Sequence, residues 1–295
     1  MTFKAKMHIV TLATCHNRRV KTLNALSDLY AQKLPQSVTV EHVLVDDGST
    51  DGTAKTVHEQ FPDVEIVQGA GDLFWAGGMR HGWQVVSGKT FDALFVYNDD
   101  VCLEKDALLR LIETSQQFIK DGGVAEHAVV GAFRSDGAHV TTSYSGLLST
   151  SWWHPLRFKR VDPPVQGYHI VDTLNMNSAL IRREALTKVG FLSDYFIHGG
   201  ADFEFGIKLN KSGGAVILAS NYIGVCNRNQ EHDNFLNHCL SLYDCYHWIL
   251  DVRREPISQR MKYYRLHGGV LWPLLWVAPY ITLPIKYLVS ITSKR

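Results

Sequence analysis

The stretch HVLVDDGSTDGTAKTV, His42 to Val57, runs from an apolar, β-branched segment into two adjacent carboxylates, a Gly-Ser-Thr turn and a helix-like segment. VTVEHVLV, residues 38–45, reads as a strand. Like charges at its end, on Asp46 and Asp47, repel each other unless donors or a cation compensate them. Two readings of this pair are open. In one, the acids punctuate the next helix, which Ser49 or Thr50 caps and which carries Asp51 in its first turn near the positive dipole end. In the other, a carboxylate accepts the N–H of a base or the hydroxyls of a ribose, as strand-end acids do in dinucleotide folds.

Working outward, MHIVTLAT (7–14) is a continuous apolar run, as in a strand buried on both faces, and Val20, Leu23 and Tyr30 follow at helical spacing. VEIVQG (64–69) reads as a strand, GGMRHGWQVVSG (77–88) as a helix and FDALFVYNDD (91–100) as a strand again ending on acids. LEKDALLRLIETSQQFIK (103–120) is an amphipathic helix with Leu108, Leu111 and Ile112 on its apolar face. This alternation predicts an α/β fold with a mostly parallel central sheet flanked by helices. Ligands of such sheets sit beyond the carboxyl ends of the strands, where VDD and NDD both fall.

Further along, AVVGAF, HVTTSYSG and YHIVDTLNMNSALI read as strands, and RREALTKVG as a short helix ending at Gly190. GADFEFGIKLNKSG is a helix with an acidic start and a basic end, AVILAS a strand, and FLNHCLSLYDCYHWILDVRRE a long helix. Between them, STSWWHPLRFKRVDPP (149–164) is a long aromatic and basic loop. Loops of that length commonly bind ligands. Here Trp152 and Trp153 either shape an acceptor site or pack at a subunit interface.

The chain has 295 residues, 45% of them hydrophobic, which suits one large domain or a domain with an appendage. A net charge of +1 gives no field for nucleic acid as the main partner. Five scattered cysteines without a CxxC pair argue against a zinc knuckle or a disulfide framework and for a reducing, cytoplasmic setting. The N-terminus lacks the apolar core of a signal peptide. From Gly268 the chain turns apolar, GGVLWPLLWVAPYITLPIKYLVSITSKR, broken by Pro273, Pro279 and Pro284. The composition suits a segment in a membrane interface, with Trp272, Trp276 and Tyr280 at headgroup depth. The alternative is an arm packed on its own domain or on a second subunit, as in a homodimer.

Three acidic sites bear on chemistry. Asn98-Asp99-Asp100 either caps a helix starting near Glu104 or holds a hard divalent cation through carboxylates and substrate phosphates. Asp202, after two glycines at a helix start, is placed to serve as a general base. Glu204 has a ready i,i+4 partner in Lys208, and dipole complementarity accounts for it as well. No GxGxxG or GxxxxGK[ST] is present, so neither a Rossmann dinucleotide site nor a P-loop is expected. Residue types and spacing alone support a phosphate- or nucleotide-dependent α/β enzyme.

TLATCHNR, VLVDDGSTDGT, FVYNDDV and GGADFEFGIKLNKSG, in this order, resemble the family-two nucleotide-sugar glycosyltransferases of GT-A fold. GAGDLFWAGGMRHGW and NMNSALIRREALTKVGFL are similar to the rhamnosyltransferase-like bacterial subgroup. The resemblance covers roughly residues 8 to 230. It implies a GT-A catalytic domain over 1–230, and the composition read above leaves 231–295 as a C-terminal helical extension whose hydrophobic tail associates with a membrane or packs on protein. It implies inverting transfer from a nucleoside-diphosphate sugar, dTDP-rhamnose or a UDP-sugar, to a glycan or lipid-linked acceptor in surface polysaccharide assembly. The cofactor would be Mg2+ or Mn2+, and the setting the cytoplasmic face of the cell membrane with peripheral contact.

By position, Thr11, Ala13 and His16 would border the nucleotide, Asp46 or Asp47 would contact base or ribose, and Arg18, Trp75, Gly77 and Gly78 would line the donor pocket. Asn98 and Asp99 would also touch the donor, and Asp100 would hold the metal; His232 in NQEHDN is either a metal or diphosphate contact or an ordinary exposed loop histidine. Asp202 would be the base, and Trp152, Trp153 and Glu204 would face the acceptor. Asn98 stands where the family's Asp-x-Asp motif has Asp, and Ala201 where Glu is common. These departures leave room for a catalytically weak glycan- or membrane-docking protein of the same fold. A sugar nucleotidyltransferase is a second rival, but TLATCHNRR lacks the glycines of that class.

Overall fold

The computed structural model describes residues 6–137, 140–228, 241–251 and 256–292. The first half runs β1 (Met7–Cys15), α1 (Arg19–Tyr30), β2 (Val38–Asp46), α2 (Thr53–Gln60), β3 (Val64–Gln68), α3 (Phe74–Val86), β4 (Ala93–Tyr97), β5 (Cys102–Leu103), α4 (Ala107–Lys120) and β6 (His127–Arg134). Short strands follow: β7 (Thr142–Tyr144), β8 (Gly146–Ser149), β9 (Phe158–Arg160), β10 (Tyr168–Val171), β11 (Thr173–Leu174) and β12 (Ser178–Arg182). Then come α5 (Arg183–Val189), α6 (Ala201–Lys211) and β13 (Ala215–Val225), and after them α7 (Leu242–Leu250), α8 (Ile257–His267) and α9 (Trp272–Thr292).

The main sheet has ten strands along the path β10-β13-β6-β12-β4-β1-β2-β3, with β5 on β13 and β7 on β6. β3, β2, β1 and β4 are mutually parallel, as the strand–helix alternation predicts. β12 enters antiparallel between β4 and β6, and β13 pairs parallel with β6. Register pairs Cys15 with Asp46 and Asp46 with Gln68, so these strands finish together along one edge.

Alternating residues of the central strands feed two cores. Ile9, Ala13, Leu44 and Phe95 face Leu26, Val57 and Leu108 of the helices on one side. Val10, Leu12, Val45 and Val96 face Met79, Leu186 and Phe205 on the other, and Tyr263, Tyr264 and Leu275 of α8 and α9 join that same cluster. Gly78 lets α3 lie close on β1: a Cβ there would stand 2.3 Å from Thr14 Oγ1 and 2.9 Å from its Cβ.

Several elements depart from the sequence reading. α2 begins at Thr53 behind a left-handed Gly52, with no cap from Ser49 or Thr50. Asp51 lies just before it and ties it to α1, accepting bonds from Arg19 N and Thr53 N. α4 starts at Ala107 behind Asp106, too far along for Asp99 or Asp100 to cap it. YHIVDTLNMNSALI is not one strand but β10, β11 and β12, because the chain breaks at Asn175-Met176-Asn177. The helix expected over 235–255 is described only as α7, opened by a Ser241–Asp244 capping box; its remaining positions lie outside the described residues.

Among the described residues no helix is long and apolar enough to cross a membrane. The tail is helical through Pro279 and Pro284. Trp272 and Trp276 do not point outward to headgroup depth; both are half-buried against the core. Tyr280 is also half-buried, and its carbonyl accepts from Tyr246 OH at 2.9 Å.

Gly78→Ala is expected to destabilise the fold by about 1–3 kcal/mol, since the stiff Thr14 side chain has no room to withdraw. Urea unfolding with an unchanged m-value would show it. An unaltered midpoint would mean that α3 is not held against β1 as described.

Candidate active site

The edge where β1, β2 and β4 end opens into a cleft of about 980 Å³. His16, Arg18, Asp47, Trp75, Asn98, Asp99, Asp100 and Asp202 all line it, although they come from well-separated segments. Thr11, Ala13, Asp46, Gly77, Gly78, Trp152, Trp153 and Glu204 do not. Thr11 and Ala13 are buried within the sheet, where Thr11 Oγ1 bonds His42 Nδ1 at 3.0 Å. Gly78 faces β1, and Gly77 donates its N–H to Ile197 O. His232 lies outside the described residues.

The opening acids have separate tasks. Asp46 Oδ1 accepts from Ser49 N at 3.0 Å and closes the DDGS turn, while its Oδ2 is buried without a hydrogen-bond partner among the described residues. Gly48, at φ 66°, lets this turn touch the next loop: a Cβ there would meet Gly71 Cα at 2.9 Å. The Asp47 carboxylate takes three backbone donors, from Gly71 N at 2.8 Å, Leu73 N at 2.9 Å and Phe74 N at 3.2 Å. It therefore shapes the loop that leads into α3. His16 and Asn17 complete this edge: His16 Nδ1 bonds Asp47 O, and Asn17 Oδ1 accepts from Thr50 N at 2.8 Å.

At the end of β4, Arg18 lies between the two carboxylates, its NH1 3.0 Å from Asp99 Oδ1 and 3.1 Å from Asp100 Oδ2. Lys21 Nζ is 3.9 Å from Asp100. Burial pushes Asp99 up to about 6 against the pull of Arg18, with Asp100 adding to the rise. Its Oδ2 is buried and finds no partner among the described residues. Asn98 Oδ1 is engaged by Trp75 Nε1 at 2.9 Å, which holds the indole at the cleft wall.

Among the described residues no group of three or more His, Cys, Asp and Glu is gathered for a metal. A hard divalent ion needs only one or two carboxylates when substrate phosphates complete its shell. Asp99, with its unpartnered Oδ2, and Asp100 fit that donor set.

Asp202 and Glu204 sit two residues apart in α6 in opposite environments. Asp202 is half-buried in the cleft wall, and burial pushes its carboxyl up to about 6 against bonds from Phe203 N, Met176 N and the Asn175 side chain. Glu204 is turned away from the cleft and buried. Burial acts to raise it, but bonds from His267, Ser193 and Tyr195 with the charge of Lys208 outweigh that and hold it at about 2. Its partners are Ser193 Oγ at 2.6 Å, Tyr195 OH at 2.7 Å and His267 Nε2 at 3.3 Å. It thus fastens α6 to the 193–195 segment and α8, and does not line the cleft.

Residues 12–190 match the family described as Glycosyl transferase family 2. The chain belongs to glycosyl transferase family 2. The fold is shared with two solved structures. One is TarS of S. aureus, at 14% identity and TM-score 0.53 over 86% of this chain and 42% of that one, so this chain spans less than half of TarS. The other is the mannosyltransferase PcManGT from Pyrobaculum calidifontis, in complex with GDP-Man and Mn2+, at 15% identity and TM-score 0.53 over 98% of this chain and 76% of that one. No curated relative matches the sequence.

For a family 2 chain, several cleft residues fall outside the sequence reading, and those from His198 onward also lie beyond the matched span. Asn175 and Asn177 flank Met176 at the break before β12, and two amides interrupting an apolar strand were the available signal. His198 accepts from Trp75 N at 3.4 Å. From α8, Gln259, Arg260 and Tyr263 reach the cleft, and Trp248 reaches it from α7. Gln259 is buried; its Oε1 accepts from Ile197 N at 3.0 Å and its Nε2 donates to Gly199 O at 3.2 Å. It holds the loop that runs into Gly200 and Asp202.

Gln259→Leu keeps the bulk and removes both bonds. It is expected to lower kcat about ten- to a hundredfold through misplacement of Asp202, with donor affinity nearly unchanged. Isothermal titration of the donor beside steady-state kinetics separates the two. Equal losses in both would show that Gln259 supports the whole cleft and not the base.

Proposed function

We propose that this chain transfers a sugar from a nucleoside-diphosphate donor to a hydroxyl of a glycan or lipid-linked acceptor, with inversion, in bacterial surface polysaccharide assembly. The observation that carries the reading is that Asp202 opens into the same cleft as Arg18, Asp99 and Asp100. A base for the acceptor and a charged seat for a diphosphate are what such a transfer needs. Membership in family 2 supports glycosyl transfer. The GDP-Man and Mn2+ bound to PcManGT support a nucleoside-diphosphate sugar and a divalent ion. The rhamnosyltransferase-like motifs favour dTDP-rhamnose, with UDP-sugars as the second choice. The setting is the cytoplasmic face of the cell membrane.

In this mechanism the Asp202 carboxylate takes the proton from the acceptor hydroxyl as that oxygen bonds the anomeric carbon. The bond from that carbon to the diphosphate oxygen breaks on the opposite face, and the departing diphosphate keeps the electron pair. A base with its pKa near 6 is ionised at neutral pH and still close enough in basicity to accept a proton in the transition state. The guanidinium of Arg18 suits phosphate oxygens, and Arg228 lines the same cleft. Mg2+ or Mn2+ held by Asp99 and Asp100 would neutralise charge developing on the diphosphate. Trp75 lines the pocket and offers the donor a flat apolar surface.

Calorimetry with UDP, dTDP and GDP, each with and without Mn2+, on wild type and Asp100→Ala tests this reading. Metal-dependent binding of one nucleotide, lost in the variant, is expected; a folded protein that binds none of them would refute it. Asp202→Asn is expected to cut kcat about a hundred- to ten-thousandfold while donor binding persists. Because Asp202 works deprotonated and its pKa is raised to about 6, kcat should climb as pH rises through about 6 and level off above it. A flat profile from pH 5 to 8 would take the base role from Asp202.

A further inference from the structure

α9 is apolar on two sides, but its own domain covers only one. Leu275 and Leu283 are buried, and Trp272 and Trp276 pack inward. On the other side Leu274, Ala278, Ile281, Ile285 and Leu288 recur at helical spacing and are all exposed, four of them between 62% and 65%. They make a stripe about 21 Å long. A helix that is hydrophobic all round is normally covered all round.

Two other segments adjoin it. At the corner between α8 and α9, Val270 is 95% exposed. The loop carrying Trp152 packs beside that corner: His154 meets the Tyr264 ring edge-on, and a Cβ on Gly269 would stand 3.7 Å from Pro155. Trp152 itself is 93% exposed and outside the cleft.

The charge pattern says what covers this face. Residues 256–295 contain six of the chain's 30 Lys and Arg and none of its 29 Asp and Glu, so the preceding residues carry −5 against this segment's +6. Two copies meeting here would bring like charge to like charge. A specific protein interface would carry roughly one hydrogen bond per 100–200 Å², and the stripe has no side chain that can make one. Aliphatic residues beside exposed Trp, with Lys286 exposed next to Ile285 and Arg265 exposed on α8, suit an anionic lipid surface.

We propose that the outward stripe of α9 and the Trp152 loop form one face that lies on an anionic bilayer. Trp152 and Trp153, read from sequence as acceptor contacts, are membrane anchors in this assignment. α8 then links the bilayer side to the cleft, since Gln259, Arg260 and Tyr263 line that cleft while Arg265 and Leu266 stay exposed. Only the bearing on a lipid-linked acceptor rests on the function proposed above; the docking does not.

The test is co-sedimentation of the whole chain with phosphatidylcholine vesicles, with or without phosphatidylglycerol. Binding to the anionic vesicles is expected to be about tenfold tighter than to neutral ones, and to weaken in high salt. The double variant Ile281→Ser/Ile285→Ser, Trp152→Ser, and the charge reversal Arg265→Glu/Lys286→Glu should each weaken it by about tenfold or more. These side chains are exposed, so circular dichroism and nucleotide calorimetry should match wild type. Absence of vesicle binding by folded protein, or binding indifferent to all three variants, would overturn the proposal. So would a dimer in sedimentation velocity that the stripe variant dissociates, which would give the face to a second copy. Nucleotide binding without vesicle binding sinks the docking alone; vesicle binding without nucleotide binding sinks the transfer alone.

Discussion

The structure depends on how four carboxylates are compensated where parallel strands end together. Asp46, Asp47, Asp99 and Asp100 all fall at that one edge. Left unmatched, they would repel one another in a partly buried place. Asp47 is neutralised by geometry, through three backbone N–H groups that draw the 69–74 loop across the edge. Asp99 and Asp100 are neutralised by charge, through Arg18 at the opening of α1. The first solution is internal and permanent. The second lies open to the cleft, where a phosphate or a cation can compete for the same groups.

That difference separates scaffold from chemistry within motifs that look alike on paper. VDD and NDD are both adjacent acids at strand ends, yet VDD builds the floor of the cleft and NDD faces its contents. The C-terminal helices make the same division on the other wall. Gln259 grips the loop before Asp202 through two backbone groups, and His267 reaches Glu204 on the other side of the first turn of α6. α8 therefore takes part in placing Asp202, although it follows that residue by more than fifty positions.

The parallel half of the fold was legible because its signals are local: apolar runs of strand length, helical spacing between them, and acids at the strand ends. Membership of the cleft was legible where a motif marked a strand end or a helix start, as at Arg18, Asp99, Asp100 and Asp202. It was not legible where a role depends on which way a side chain turns. Thr11 and Ala13 share a strand with Thr14 and Cys15 at the cleft, but lie further back inside the sheet. Trp152 and Trp153 look like sugar platforms in sequence, yet neither lines the cleft. Asn175, Asn177 and Gln259 carry no motif at all; their roles come from the antiparallel return of β12 and the docking of α8.

Asp202 and Glu204 show why proximity in sequence is a poor guide to role. Successive helical residues point about 100° apart, so two residues along the helix the side chains face nearly opposite ways. One enters the cleft, and burial raises it despite bonds from Phe203 N, Met176 N and the Asn175 side chain. The other enters a pocket of hydroxyls, a histidine and a lysine, which together hold it ionised. A carboxylate held that low is too weak a base to take a proton from a sugar hydroxyl. One held near 6 is poised to do so. Both are acids in the first turn of the same helix, and both satisfy its dipole. What makes one a candidate base and the other a fastener is the set of donors the rest of the chain brings to each, and for Glu204 that set includes His267 from a helix folded back over the catalytic layer.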